Sequence, residues 1–163
     1  MGSHTSEVAL SMDALRRIVQ ALRQSARDAE KTTGMSGAQL FVLQTLAPAG
    51  KATIGELARR TRTDQSSVSV VVTRLEERGL VSRRAAPTDA RRVEVTLTSR
   101  GRKLAATAEP PAQARLVATL EELPEAKLAL LRSGLEDLVA GMGQEREPAQ
   151  LFFEEPAATK VKS

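Results

Sequence analysis

Three features of the sequence predict a mainly α-helical chain with one small β-hairpin set into it. Val68, Val71, Val72 and Leu75 follow the i, i+3, i+4, i+7 spacing of a single buried helical stripe. Val93, Val95 and Leu97 alternate with Arg92, Glu94 and Thr96, the period of a half-buried strand. Stretches of helical period flank both, over 12–29 before and 128–139 after.

Composition bounds the answer. The chain has 163 residues, so one domain, or one domain with appended helices, is expected. Hydrophobic residues make up 41% of it, but three Phe are its whole aromatic content, so the core must be aliphatic. Apolar runs fall far short of the ~18 residues of a membrane span, and neither a secretory signal nor a transit peptide is evident. With no Cys, disulfides and thiolate chemistry are excluded, which fits a reducing cytoplasm.

Net charge is only +4, but it is unevenly spread. Residues 56–103 carry 12 Lys or Arg against 6 Asp or Glu, and the rest carries 12 against 14. That is the footprint of a phosphate-binding segment. The absence of Trp and Tyr removes stacking platforms, which favours duplex over single-stranded nucleic acid.

Residues 1–6 are small and polar, with Gly2-Ser3-His4 resembling a tag remnant, so His4 is given no role. A helix over 8–33 carries Met12, Leu15, Ile18, Val19, Leu22, Ala26 and Ala29 at helical period. It is long enough either to cross a small core or to pair with another subunit. Gly34 ends it. Ser36-Gly37-Ala38-Gln39 then has capping-box form, followed by Leu40, Leu43 and Leu46. Thr53-Ile54-Gly55-Glu56 is a second box and opens a short third helix with Ile54, Leu57 and Ala58 inward. A polar turn leads to Thr63, read as the cap of the striped helix. Two short helices joined this way have helix-turn-helix form, though a plain helical hairpin shares the pattern.

The face opposite the stripe follows from a step of about 100° per residue. Ser66, Val70 and Thr73 lie on it, flanked by Ser67, Ser69 and Arg74, with Gln65 in the first turn. A solvated helix usually carries long charged residues there. Small hydroxyls, a methyl-bearing Thr and one Arg suit a helix that meets base edges in a major groove.

After the helix, Val81-Ser82-Arg83-Arg84 is a weaker strand, and Ala86-Pro87-Thr88-Asp89-Ala90 has turn chemistry. Helix followed by an Arg-loaded hairpin makes a winged helix. Asp89 and Arg91 stand two apart at the hairpin tip, so the carboxylate can hold the guanidinium in one orientation for a narrow minor groove. A solvated surface ion pair is the plainer reading. Arg83, Arg84 and Arg92 are read as phosphate contacts or solvating charge.

Thr98 is read as the next helix cap. Arg100, Arg102 and Lys103 occupy that helix's first turn, where the helix dipole disfavours cations unless something compensates, as a phosphate would. Pro110 and Pro111 interrupt the helix after Glu109. A further segment over 112–120 carries Leu116, Val117 and Leu120. Pro124 is read at the first position of a last helix, striped by Leu128, Leu131, Leu135, Leu138 and Val139 and closed by Gly141 and Gly143. Beyond Gln144 periodicity stops, and a flexible tail is expected with one apolar cluster, Leu151-Phe152-Phe153.

Three pieces of this sequence resemble the helix-to-wing signature of MarR-type transcriptional regulators, the multiple-antibiotic-resistance regulator family. They are Leu75-Glu76-Glu77-Arg78-Gly79-Leu80-Val81, then Asp89-x-Arg91-Arg92-x-x-Val95, then Leu97-Thr98-x-x-Gly101. The likeness spans roughly residues 8–142 and is specific over 53–101. It implies that the terminal helices intertwine in a homodimer, here through Leu15, Ile18, Leu22, Leu128, Leu131, Leu135 and Leu138. It also implies that Asp89 braces the wing while Arg91 contacts DNA. The Pro110-Pro111 break departs from the family's unbroken helix. The resulting organisation is a disordered or tag-derived 1–7, an N-terminal dimerisation helix at 8–33 and a winged helix-turn-helix DNA-binding head at 34–100 with its wing at 81–98. C-terminal dimerisation helices at 101–143 and a flexible tail at 144–163 complete it.

The function expected is a cytoplasmic homodimeric regulator, a repressor, that binds a pseudo-palindromic double-stranded operator and answers to a small organic effector of unknown site. Peroxide sensing through Cys is excluded, and a zinc site is disfavoured with one His. No metal, cofactor or catalytic residue is expected: the chain has no phosphate loop and no dinucleotide turn, and its adjacent acid pairs diverge on helices. The alternative is a winged-helix module for protein contact or for non-specific architectural DNA binding.

Overall fold

The computed structural model describes residues 2–86, 89–144 and 151–152, with the backbone alone at 2–3, 86 and 89–92. The element order is α1 (Gly2–Thr33), α2 (Gly37–Leu46), β1 (Lys51–Thr53), α3 (Ile54–Thr61), α4 (Gln65–Glu77), β2 (Val81–Ala86), β3 (Asp89–Leu97), α5 (Ser99–Thr107), α6 (Ala112–Glu121) and α7 (Glu125–Gly141). The fold is mainly α with a small antiparallel sheet, the winged helix that the sequence predicts.

The core is built where α2, α3 and α4 meet the base of the sheet. Leu43, Leu46, Leu57, Leu75 and Leu80 are fully buried there, together with Val68, Val71, Val72 and Val95. The predicted stripe of α4 is thus the stripe that the core takes up. Of the two predicted capping boxes, the second forms in full and the first shows its forward bond. Ser36 accepts from the Gln39 N–H at 3.1 Å. Thr53 and Glu56 make the reciprocal box, at 3.2 and 2.7 Å.

The sheet holds one strand that the sequence reading lacks. β1 pairs with β3, Ala52 opposite Val95, giving the order β1-β3-β2. Three residues are too few to show an alternation, so β1 has no signature of its own. Lys51 donates to both Glu94 carboxylate oxygens, at 3.2 and 3.1 Å, across this pair. In the hairpin Arg83 lies opposite Val95, and the register shifts between Ala85 and Ala86.

Helix α1 begins at Gly2 rather than at Val8. Residues 3–7 contain neither Pro nor Gly, so extending an existing helix through them costs little. Along α1, Val8, Leu10, Met12, Ile18 and Val19 are exposed and Leu15 is half-buried. Leu22, assigned to a dimer interface from sequence, is instead buried within its own chain. Helix α7 has no buried residue, although Leu128, Leu131, Leu135 and Leu138 line up along it. Its N-cap is Pro124, so the helix starts one position later than predicted.

Pro110 and Pro111 separate α5 from α6, as expected. Pro111 is the N-cap of α6, and the Ala112 N–H donates to Ser25 Oγ of α1 at 2.8 Å. In the tail, where the sequence leaves the apolar cluster to dock or to collapse locally, residues 151 and 152 are described. Leu151 is 4% exposed and belongs to the core cluster. Phe152 borders a small cleft between Leu22 and Ala26 of α1, Gly37 of α2 and Ala112 of α6. The remainder of 145–163 lies outside the described residues.

Candidate nucleic-acid interface

The turn that delivers α4 is built from backbone. Arg62, in the left-handed region at φ 55°, closes α3; its N–H donates to Arg59 O and the Thr63 N–H to Ala58 O. That engagement makes Thr63 part of the α3 terminus, and Asp64 caps α4 in its place. The Asp64 carboxylate accepts from the Ser67 N–H at 2.9 Å and from the Ser67 hydroxyl at 2.6 Å. Those bonds, the hydroxyl's foremost, hold its carboxyl below the usual carboxylate range. A carboxylate is also the stronger cap at the positive end of a helix dipole.

On the outer face of α4, Gln65, Ser66 and Thr73 are exposed, while Ser69, Val70 and Arg74 are half-buried. The Gln65 amide lies beside Gly55 of α3, its nitrogen 3.6 Å from where a Cβ would stand. Ser67, half-buried, commits its hydroxyl proton to Asp64. Thr73 Oγ1 donates to Ser69 O at 2.9 Å.

Arg83 differs most from expectation. It is not a free phosphate contact. Its N–H and its Nη1 donate to the two Glu76 carboxylate oxygens, at 3.0 and 2.9 Å. Its Nη2 donates to Thr73 Oγ1 at 2.9 Å and to Ser69 O at 3.3 Å. One arginine of the wing is therefore folded against the helix, locking β2 to α4. Arg84, next in the strand, is exposed. Asp89, Arg91 and Arg92 belong to the backbone of β3. Their side chains, and so the predicted Asp89–Arg91 brace, lie outside the described residues.

The join between helix and wing explains the sequence motif physically. Gly79, at φ 67°, ends α4 with two return bonds, its own N–H to Glu76 O and the Leu80 N–H to Leu75 O. Leu75 and Leu80 are both buried, the contact that accompanies this helix ending. Thr98 caps α5 through the Gly101 N–H and donates to Gly79 O at 2.8 Å. At Gly101 a Cβ would stand 2.0 Å from Leu80 O, so the backbones meet where no side chain fits. Arg100 Nη1 donates to Arg78 O at 3.3 Å. A cation in the first turn of α5 thus answers the negative end of α4.

A basic groove borders this surface that sequence reasoning did not assemble. Arg23 and Arg27 of α1, Arg74 of α4 and Arg78 line a cleft of about 460 Å³ beside the start of α2, with Glu30 among them. Arg78 Nη1 donates to Gly34 O at 2.6 Å. The i, i+4 spacing of Arg23 and Arg27 was the available signal, but their approach to α4 is tertiary. Among the described residues there is no group of acidic, His or Cys side chains fit for a metal ion. No described helix is long and apolar enough to cross a membrane.

Residues 33–92 match the model of the MarR family. An uncharacterized HTH-type transcriptional regulator of Mycobacterium bovis is 32% identical over 135 residues, which are 83% of this chain and 94% of that protein. The chain belongs to the MarR family. The HTH-type transcriptional repressor MdtR of Bacillus subtilis is 31% identical over 96 residues, 59% of this chain and 60% of MdtR, so the match spans less than two thirds of that relative. Among solved structures, BpsR of Bordetella bronchiseptica is 30% identical with a TM-score of 0.54, over 83% of this chain and 91% of that one. DNA binding by BpsR is regulated by 6-hydroxynicotinic acid. This MarR-family chain is a DNA-binding transcription regulator, not an enzyme.

Proposed function

We propose that this MarR-family regulator is a homodimeric repressor that recognises a pseudo-palindromic duplex and releases it when a small organic molecule binds. The observation that carries the reading is the outer face of α4, exposed at Gln65, Ser66 and Thr73, held against an arginine-bearing wing through Arg83. A rigid pairing of this kind lets the helix enter a major groove while the wing, with Arg91, meets the adjoining minor groove. Arg84, Arg92 and the Arg23–Arg78 groove supply phosphate contacts, which give affinity and salt dependence but no sequence choice.

Homodimerisation is supported by the apolar residues that α1 and α7 leave exposed on one chain. Two-fold symmetry then predicts half-sites about one helical turn apart, roughly 34 Å. An effector acts only if it prefers one head spacing over another. The cleft of about 480 Å³ between α1 and the α5–α6 break suits that role. Ser25, Asp28, Thr32, Leu104, Thr107 and Arg115 line it, and a ligand there would press on the joint between head and stalk. BpsR's response to a small aromatic acid points to the same ligand class.

Selection of bound duplexes from a random pool, with sedimentation of the free protein, tests the reading. The expected result is a dimer that enriches an inverted repeat and discriminates it from scrambled DNA by at least ~10³-fold. Uniform binding of all duplexes would make the chain an architectural binder. No duplex binding would make it a protein-contact module.

A further inference from the structure

We infer that α4 reads thymine methyl groups: Thr73 and Val70 meet the major groove as apolar groups, and Arg83 fixes Thr73 in that role. The inference rests on the proposal that α4 enters the groove. Thr73 is exposed, yet its hydroxyl is engaged from two sides. It gives its only proton to Ser69 O at 2.9 Å and accepts from Arg83 Nη2 at 2.9 Å. Arg83 is in turn held by Glu76 at 2.9 Å, so the arrangement is fixed before any DNA arrives.

A hydroxyl without a spare proton cannot donate to the acceptors that purines and thymine present in the major groove. With its proton given to the preceding turn and one lone pair taken by Arg83, Thr73 has the Cγ2 methyl and a single acceptor lone pair left to offer. Val70, three residues earlier on the same face, is half-buried and offers methyls as well. The apolar group that base pairs present in the major groove is the C5-methyl of thymine. Side chains three apart on a helix stand about 5–6 Å from each other, and bases rise 3.4 Å per step. The two residues therefore take thymines on neighbouring or next-but-one base pairs of each half-site. Ser66, whose hydroxyl has no such engagement from Arg83, is left for polar readout.

The test uses the full-length protein and the duplex it selects. Each thymine of a half-site is replaced in turn by deoxyuridine, which removes one methyl and nothing else. At the positions read by Thr73 and Val70 affinity should fall about three- to fivefold, the scale of one buried carbon. The salt slope should stay unchanged, because phosphate contacts are untouched. Thr73→Val, which keeps the methyl, should retain the thymine preference; Thr73→Ser, which keeps the hydroxyl, should abolish it at one position. Val70→Ala should abolish it at the other. Arg83→Gln should shrink the thymine-to-uracil ratio at the Thr73 position, because Oγ1 loses its guanidinium donor and the side chain is held by the Ser69 bond alone. Indifference of the wild type to every deoxyuridine overturns the inference, as does a thymine preference kept by Thr73→Ser and lost by Thr73→Val. Failure to select any duplex sequence overturns the groove-reading proposal beneath it.

Discussion

Glu76 and Arg83 stand seven residues apart in sequence and share three groups: the Glu76 carboxylate takes both the Arg83 N–H and its guanidinium. Their side chains are 38% and 28% exposed, so water screens the pair only in part. A charge-assisted bond reinforced by a backbone bond is stiffer than a surface ion pair. A double-mutant cycle of Glu76→Gln and Arg83→Gln should give a coupling of about 1 kcal/mol in urea unfolding. Additive effects, within a few tenths of that unit, would show that the wing is not held through this contact.

Gly101 should tolerate no side chain. Gly101→Ala sets a methyl 2.0 Å from the Leu80 carbonyl, and a backbone atom cannot swing aside as a side-chain tip can. The expected loss is about 1–3 kcal/mol, or more if α5 cannot retreat from the wing. The urea midpoint measures it, and a wild-type midpoint would mean that the approach relaxes freely.

Asp64 should leave a pH signature. Its folded carboxyl is held below the usual range, mainly by the Ser67 hydroxyl and then by the Ser67 N–H. A depressed pKa contributes stability that is full above the unfolded value of about 3.9 and fades as pH falls through the folded value. Wild type should therefore lose stability in the acid range more steeply than Asp64→Asn, which caps without titrating. Parallel stability curves for the two proteins below pH 4 would remove the linkage.

Leu151 should anchor the tail. Leu151→Ala deletes a buried side chain, which in a core costs about 2–5 kcal/mol. A terminal segment can detach instead, so its own docking free energy caps the loss. Ending the chain after Gly143 should then destabilise at least as much as Leu151→Ala. Equal thermal midpoints for wild type and both variants would show that the burial contributes nothing.

The sequence discloses what repeats. The α4 stripe was legible because four aliphatic residues mark a full helical period, and the core uses all four. The winged helix followed, because a switch to period two right after that helix has few other readings. What the sequence hides is choice among neighbours and contact across turns. Thr63 and Asp64 are both good caps, and only the return bond of Thr63 to Ala58 decides between them. Arg83 looks like any basic residue on a wing until Glu76 and Thr73 stand beside it. β1 is too short to show a period, and one leucine in a polar tail gives no pattern at all. Leu22 and Ile18 share one stripe in sequence, yet only Leu22 finds cover within the chain.

Helix α7 has seventeen residues and none of them is covered. A peptide of that length is marginally helical in water without something to lean against. In the proposed homodimer a second copy settling along Leu131, Leu135 and Leu138 would supply that support. Serial dilution should unravel this helix while α2 to α5 keep their shape, and far-ultraviolet ellipticity followed against protein concentration would register the parting of the two.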